Sequence, residues 1–146
     1  MLTFKKMLSS VTGLFLALVF LCIPMKEDAF LLSVKTPVTS TSTEIVLIYE
    51  NKTGRSVSFC EDNYYAERKT ENGWVAEPRL NRAEVREIVT VIQPGLGDRY
   101  TIKLSEPLDA GEYRISQTYS VETRTLQAPF EITALSRMVI AEFTVS

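Results

Sequence analysis

The stretch "GEYRISQTYSV" (111–121) repeats with a period of two, which places Tyr113, Ile115, Gln117 and Tyr119 on one face. Side chains alternate across a strand, whereas a helix would spread these four residues around its surface. "RMVIAEFTV" (137–145) repeats the pattern, with Val139, Ala141, Phe143 and Val145 set against Met138, Ile140 and Glu142. "TEIVLIYEN" (43–51) is apolar on both faces, as suits a central strand of a sandwich. "RYTIKL" (99–104) alternates through Tyr100, Ile102 and Leu104, and "YYAERKT" (64–70) sets Tyr65 among polar neighbours. "EVREIVTVIQ" (84–93) is β-branched, and "LLSVKT" (31–36) is a weak first strand. Turn residues separate these runs at "NKTGR" (51–55), "ENG" (71–73) and "PGLGD" (94–98). Short strands at this spacing predict an all-β, antiparallel two-sheet sandwich of seven to eight strands.

The N-terminus reads differently. Lys5 and Lys6 precede an uncharged apolar run from Met7 to Pro24, and Lys26, Glu27 and Asp28 close it. This is the pattern of a secretory signal, and its 18 residues also reach the lower limit of a membrane span. Residues 1–30 are therefore expected to be an apolar helix serving as signal peptide or membrane anchor, with 31–146 as the folded domain. The run contains Cys22, as in lipoproteins, but Phe20 and Leu21 before it are too large for the lipoprotein processing site. Lipidation is not favoured, and no small-x-small cleavage site stands out.

Charge and composition narrow the chemistry. The formal net charge of the 146-residue chain is -2; without the residues up to Pro24, 14 basic residues face 18 acidic ones, or -4. A nucleic-acid partner would call for a basic stripe instead. The chain has no histidine, which removes Ser-His-Asp and Cys-His nucleophile pairs and the usual zinc sites. Cys60 is the one cysteine in the folded part, so no disulfide forms within it, and Glu61 and Asp62 beside it oppose a reactive thiolate. "EDN" (61–63) lacks the ligand spacing of a calcium loop. "EPRLNRAEVRE" (77–87) balances three acids against three bases and reads as a solvated crossover. No enzymatic activity, cofactor or metal is expected.

"LDAGEYRI" (108–115) has the L-x-x-G-x-Y form of a tyrosine corner. In that device the tyrosine hydroxyl bonds a backbone group a few residues upstream, where the chain crosses between sheets. Gly111 would permit the turn, Leu108 would pack beneath it, and Tyr113 would close it. With Trp74 after the "ENG" hairpin, the P-G turn at Pro94–Gly95 and "AEFTV" (141–145), this order of motifs resembles a family of bacterial Ig-like domains. Such domains occur in small exported or membrane-attached proteins of Gram-positive bacteria. The resemblance covers roughly residues 31 to 146 and implies an immunoglobulin-like sandwich with no catalytic residues. It assigns structural roles to Trp74, Leu108, Gly111 and Tyr113. The punctuation is more distantly similar to bacterial intracellular subtilisin inhibitors, which are cytoplasmic, against the N-terminal apolar run.

These features imply a non-enzymatic, extracytoplasmic interaction module whose partner is a protein or an envelope component. The alternative is a protease inhibitor presenting 122–136 or 77–87 as a loop. Residues 7–24 would contact the membrane if uncleaved. The long, apolar connection "ETRTLQAPFEITALS" (122–136) carries Leu126, Phe130, Ile132 and Leu135, which either dock on the sandwich or face a partner.

Overall fold

The computed structural model describes residues 29–81, 88–124 and 132–146. Eight strands follow in order: β1 (Phe30–Val34), β2 (Glu44–Asn51), β3 (Val57–Thr70), β4 (Gly73–Ala76), β5 (Val89–Ile92), β6 (Gly97–Lys103), β7 (Gly111–Arg124) and β8 (Ile132–Val145). They form two antiparallel sheets. One has the order β1-β2-β6; the other has the order β4-β3-β7-β8, with β5 also pairing β3. Past β1 the chain reaches the second sheet, where Val38 makes a parallel bridge to Val145. Among the described residues no helix is long and apolar enough to cross a membrane; the run from Met7 to Pro24 lies outside them.

The alternation read from the sequence becomes the inner face of each sheet. Tyr113, Ile115, Gln117 and Tyr119 are buried on β7, as are Ala141, Phe143 and Val145 on β8, while Met138 and Ile140 face out. Phe30, Tyr49, Phe59 and Tyr119 pack at one end of the core, with ring centroids 4.4 Å apart for Tyr49–Phe59 and 4.7 Å for Phe30–Tyr119. Tilted aromatic packing of this kind adds to the burial of the rings themselves.

Two readings need correction, and the parity of one strand is set by long-range pairing. In "YYAERKT" Tyr64 is buried and Tyr65 faces solvent. The cause is a bulge: Phe59 pairs with Tyr119 and Tyr64 with Gln117, so β3 carries three extra residues and its parity resets. Residues 122–136 are not one long connection. β7 runs to Arg124 and β8 starts at Ile132, leaving 125–131, outside the described residues, between them. The segment from Glu77 is not a solvated crossover at its start, since Glu77 and Leu80 are buried.

Two polar devices hold these departures in place. Inside the bulge, Gln117 Nε2 donates to the carbonyls of Cys60 and Asn63 at 3.0 and 2.9 Å, and Tyr49 donates to Gln117 Oε1 at 3.4 Å. Beyond β4, Asn81 completes a ladder that lacks a strand: Ala66 N donates to Asn81 Oδ1 at 2.8 Å and Asn81 Nδ2 donates to Ala66 O at 2.9 Å. Buried backbone groups demand such partners. β6 lies close on β2 because Gly97 has no side chain; a Cβ there would come 2.7 Å from Tyr49 O.

Candidate interaction face

The outer face of the β4-β3-β7-β8 sheet divides into two halves. In one half, cross-strand rows run Tyr65–Ser116–Ile140, then Thr118–Met138, then Ser58–Ser120–Ser136 with Val91 beside Ser58. These rows carry no charge. Tyr65, Met138 and Ile140 are 50%, 63% and 44% exposed. Small hydroxyl residues on β7 thus form a shallow floor with large apolar side chains on both sides. None of the exposed large apolar side chains among the described residues lies on β1, β2 or β6. Cys60 is half-buried inside β3, opposite Val89.

The other half is charged and internally paired. Arg114 Nε donates to Glu67 at 2.5 Å, Lys69 is paired with Glu112, and the Arg114 guanidinium lies 4.6 Å from the Trp74 ring centroid. Glu67 and Glu112 hold these two cations firmly charged. Trp74 therefore sits half-buried on the outer face of a four-residue edge strand, and it is not a core residue.

The turn before β7 is built around Asp109 and Tyr113. The Tyr113 hydroxyl donates to Asp109 O at 2.8 Å, and Leu108 is buried beneath. Beside it, Arg79 makes a two-pronged pair with Glu77 at 2.8 and 3.0 Å, donates to Pro107 O at 2.9 Å, and reaches Asp109 Oδ2 at 3.0 Å. Arg68 adds a second cation to Asp109 at 3.2 Å. Arg79 holds the Glu77 carboxyl below the usual carboxylate range despite its burial.

The acids of "EDN" point apart. Asp62 is buried and accepts from the Tyr100 hydroxyl, while Glu61 accepts from Thr90 at 2.5 Å. Burial, aided by Glu61, pushes the Tyr49 hydroxyl well above the ordinary phenol range. Among the described residues no three His, Cys, Asp or Glu side chains gather to hold a metal ion.

Of the apolar residues singled out in 122–136, Leu126 and Phe130 lie outside the described residues. Ile132 and Leu135 stand in β8, in register with Arg124 and Val121. The outer face was missed because its apolar residues come from three strands far apart in sequence. The signal was present in Met138 and Ile140, set opposite the core-facing residues of an alternating strand.

The family described as bacterial Ig-like domain matches residues 26–131. No curated protein matches the chain. Among solved structures, the chain is similar to the archaellum periplasmic stator protein FlaG from Sulfolobus acidocaldarius, at 16% identity and a TM-score of 0.40, covering 79% of this chain and 100% of that one. It is also similar to the FlaF–FlaG complex of the same archaeon at 17% identity and a TM-score of 0.38, covering 82% and 94%. A PapD-like domain of human CEP192 aligns at 15% identity and a TM-score of 0.31, covering 84% and 92%. At these scores the superposition is loose and says nothing of what this chain binds. The match over most of the chain, on an all-β sandwich, places the protein in the bacterial Ig-like domain family.

Proposed function

We propose that this chain is a non-enzymatic binding module outside the cytoplasmic membrane, held there by residues 7–24, with a protein or envelope component as partner. One observation carries the reading: the uncharged outer half-face with Tyr65, Met138 and Ile140 exposed. Exposed apolar rows on one sheet, absent from the other, are what a protein-docking surface requires. The N-terminal run supports the location, with Lys5 and Lys6 on the cytoplasmic side. The proposal also gives Leu126, Phe130, Ile132 and Leu135 a partner-binding role, with Ile132 and Leu135 in β8 and Leu126 and Phe130 outside the described residues.

A photo-crosslinking residue at position 140, in membranes of the native host, is expected to give one discrete adduct. The same residue at position 101, on the opposite sheet, is expected to give none. Ile140→Lys should abolish capture by a crosslinker at position 65 while leaving the melting temperature unchanged. Equal labelling from positions 140 and 101 would remove the face from consideration. Phe130→Ser tests that role separately, through weaker capture without unfolding.

A further inference from the structure

We infer that β8 pairs with β8 of a second copy of this chain, antiparallel about a two-fold axis at Val139, so that two outer sheets join edge to edge. The inference stands on the backbone edge of β8 and does not depend on what docks on the outer face.

Hydrogen bonds at the end of β8 show which backbone groups are turned to that edge. Ser146 N donates to Val38 O at 3.2 Å and Ser146 O accepts from Ser40 N at 2.8 Å, so both groups of Ser146 point away from β7. β7 and β8 keep one unbroken register from Gly111–Val145 to Arg124–Ile132. Backbone groups alternate sides along a strand in such a ladder. Ser136, Met138, Ile140 and Glu142 therefore turn their N–H and C=O groups outward as Ser146 does. The 38–40 segment takes only the last residues of this edge, and β8 ends the strand order of its sheet among the described residues.

The remaining edges are short or charged. β4 and β5 have 4 residues each and β1 has 5. β6 has 7, with Asp98, Arg99 and Lys103 among them. β8 has 14, and Met138–Ala141 holds no charge, proline or glycine. A long apolar edge without such protection recruits another strand.

A second copy is the occupant this edge fits. Its β8 is already extended and held by β7, so pairing does not have to order a loose chain. A two-fold axis normal to the sheet keeps the outer faces on one side, so outward residues must oppose outward residues. Centred on Val139, the register sets Met138 against Ile140 of the second copy, Ser136 against Glu142, and Arg137 against the small Ala141. Sliding by two residues sets Ile140 against Ser136 in one direction and Met138 against Glu142 in the other. The centred register is thus the one that pairs the two exposed apolar side chains, 63% and 44% exposed, with each other. Ser136 to Glu142 make a seam roughly 20 Å long at the rise of a strand. Across it the uncharged row Tyr65–Ser116–Ile140 continues into Met138 and Thr118 of the second copy. The apolar half-face is doubled, and the charged half of each copy stays on its own side.

Cysteine pairing reads the register directly. Full-length Met138→Cys and a differently tagged Ile140→Cys are co-expressed in the native host and oxidised in isolated membranes. The unmodified chain, with Cys22 and Cys60 in place, sets the background. Directly opposed residues of this kind stand about 5.5 Å apart at Cα, within disulfide reach, whereas the like pairs 138–138 and 140–140 lie on the diagonal. A mixed 138–140 disulfide several-fold above either like pair is expected, with Thr101→Cys on β6 at background. Equal yields from the three pairings, or a higher yield from Tyr65→Cys with itself, would mean that copies meet through their faces, and overturns the inference. Background yields at 138 and 140 would mean that the edges do not meet, and also overturns it. In either case capture at position 65 still tests the docking face separately.

Discussion

The two ends of the sandwich solve one problem by opposite means. Each must hold several turns together where the sheets run out. The far end does so with charge: Glu77, Arg79, Asp109 and Arg68 form a continuous ion network beneath the Tyr113 turn. The end where the chain enters uses one neutral side chain. Asn51 Nδ2 donates to Arg55 O and to Ile92 O, both at 2.8 Å, and its Oδ1 accepts from Thr53 N at 3.0 Å and Thr53 Oγ1 at 2.6 Å. Every polar group of the Asn51 side chain is used, and the residue is 1% exposed. A buried neutral hub is indifferent to pH and salt, whereas a partly solvated ion network depends on both.

The comparison breaks most directly at Asn51. Asn51→Leu removes the side-chain donor to Ile92 O and the acceptor for Thr53 N, and it leaves Arg55 O with its bond from Thr53 Oγ1 alone; each lost partner of a buried group is costly. A loss of about 3 kcal/mol is expected, read from urea unfolding, with little dependence on pH. A loss under half of that would show that the turns hold themselves.

Glu77→Gln should cost less, about 2 kcal/mol, because Arg79 keeps Pro107 O and Asp109. Its pH signature is distinct. The folded carboxyl of Glu77 titrates below its ordinary value, so its contribution is complete above the unfolded pKa of about 4.3 and disappears as pH falls through the folded one. The unmodified protein should therefore lose stability below about pH 4 more steeply than the Glu77→Gln variant. Parallel acid limbs for the two proteins would show that the ion network adds nothing to folding.

Tyr113→Phe is expected to be smaller again. It removes the hydroxyl bond to Asp109 O and keeps the ring stacked 5.5 Å from Phe143. About 1 kcal/mol is the scale of one net hydrogen bond, and an unchanged unfolding midpoint would count against the turn depending on it.

Local alternation made the strands legible in the sequence, and long-range pairing decided what was not. The inner residues of β7 and β8 could be read because each strand carries its own period. Tyr64 and Tyr65 could not be assigned that way. The bulge that resets β3 depends on Gln117, 53 residues beyond Tyr64, filling the space it leaves. "NKTGR" reads correctly as a turn, yet nothing local shows that Asn51 and Thr53 are buried in it. Nor does the charge balance of 77–87 show that Glu77 and Arg79 pair two residues apart against a carbonyl from the 107 turn. The outer apolar half-face was half visible, since Met138 and Ile140 alternate out of β8. Its third member, Tyr65, depended on the same unread bulge.

Trp74 makes the last and smallest test. A tryptophan after a hairpin in an Ig-like sequence invites assignment to the core. Here it stands half-buried outside the core, on a short edge strand, with Arg114 over one side of the ring. The guanidinium is already held by Glu67, so removing the ring leaves the cation partnered. Trp74→Ala should therefore shift the urea midpoint less than Tyr113→Phe does, despite deleting a far larger side chain. Apolar burial scales with area removed from water, and a ring lying on the surface has surrendered only part of that area. A shift larger than that of Tyr113→Phe would mean that the ring seals the β3–β4 edge. The charged half of the face would then contribute to stability as well as the ion network at the far end.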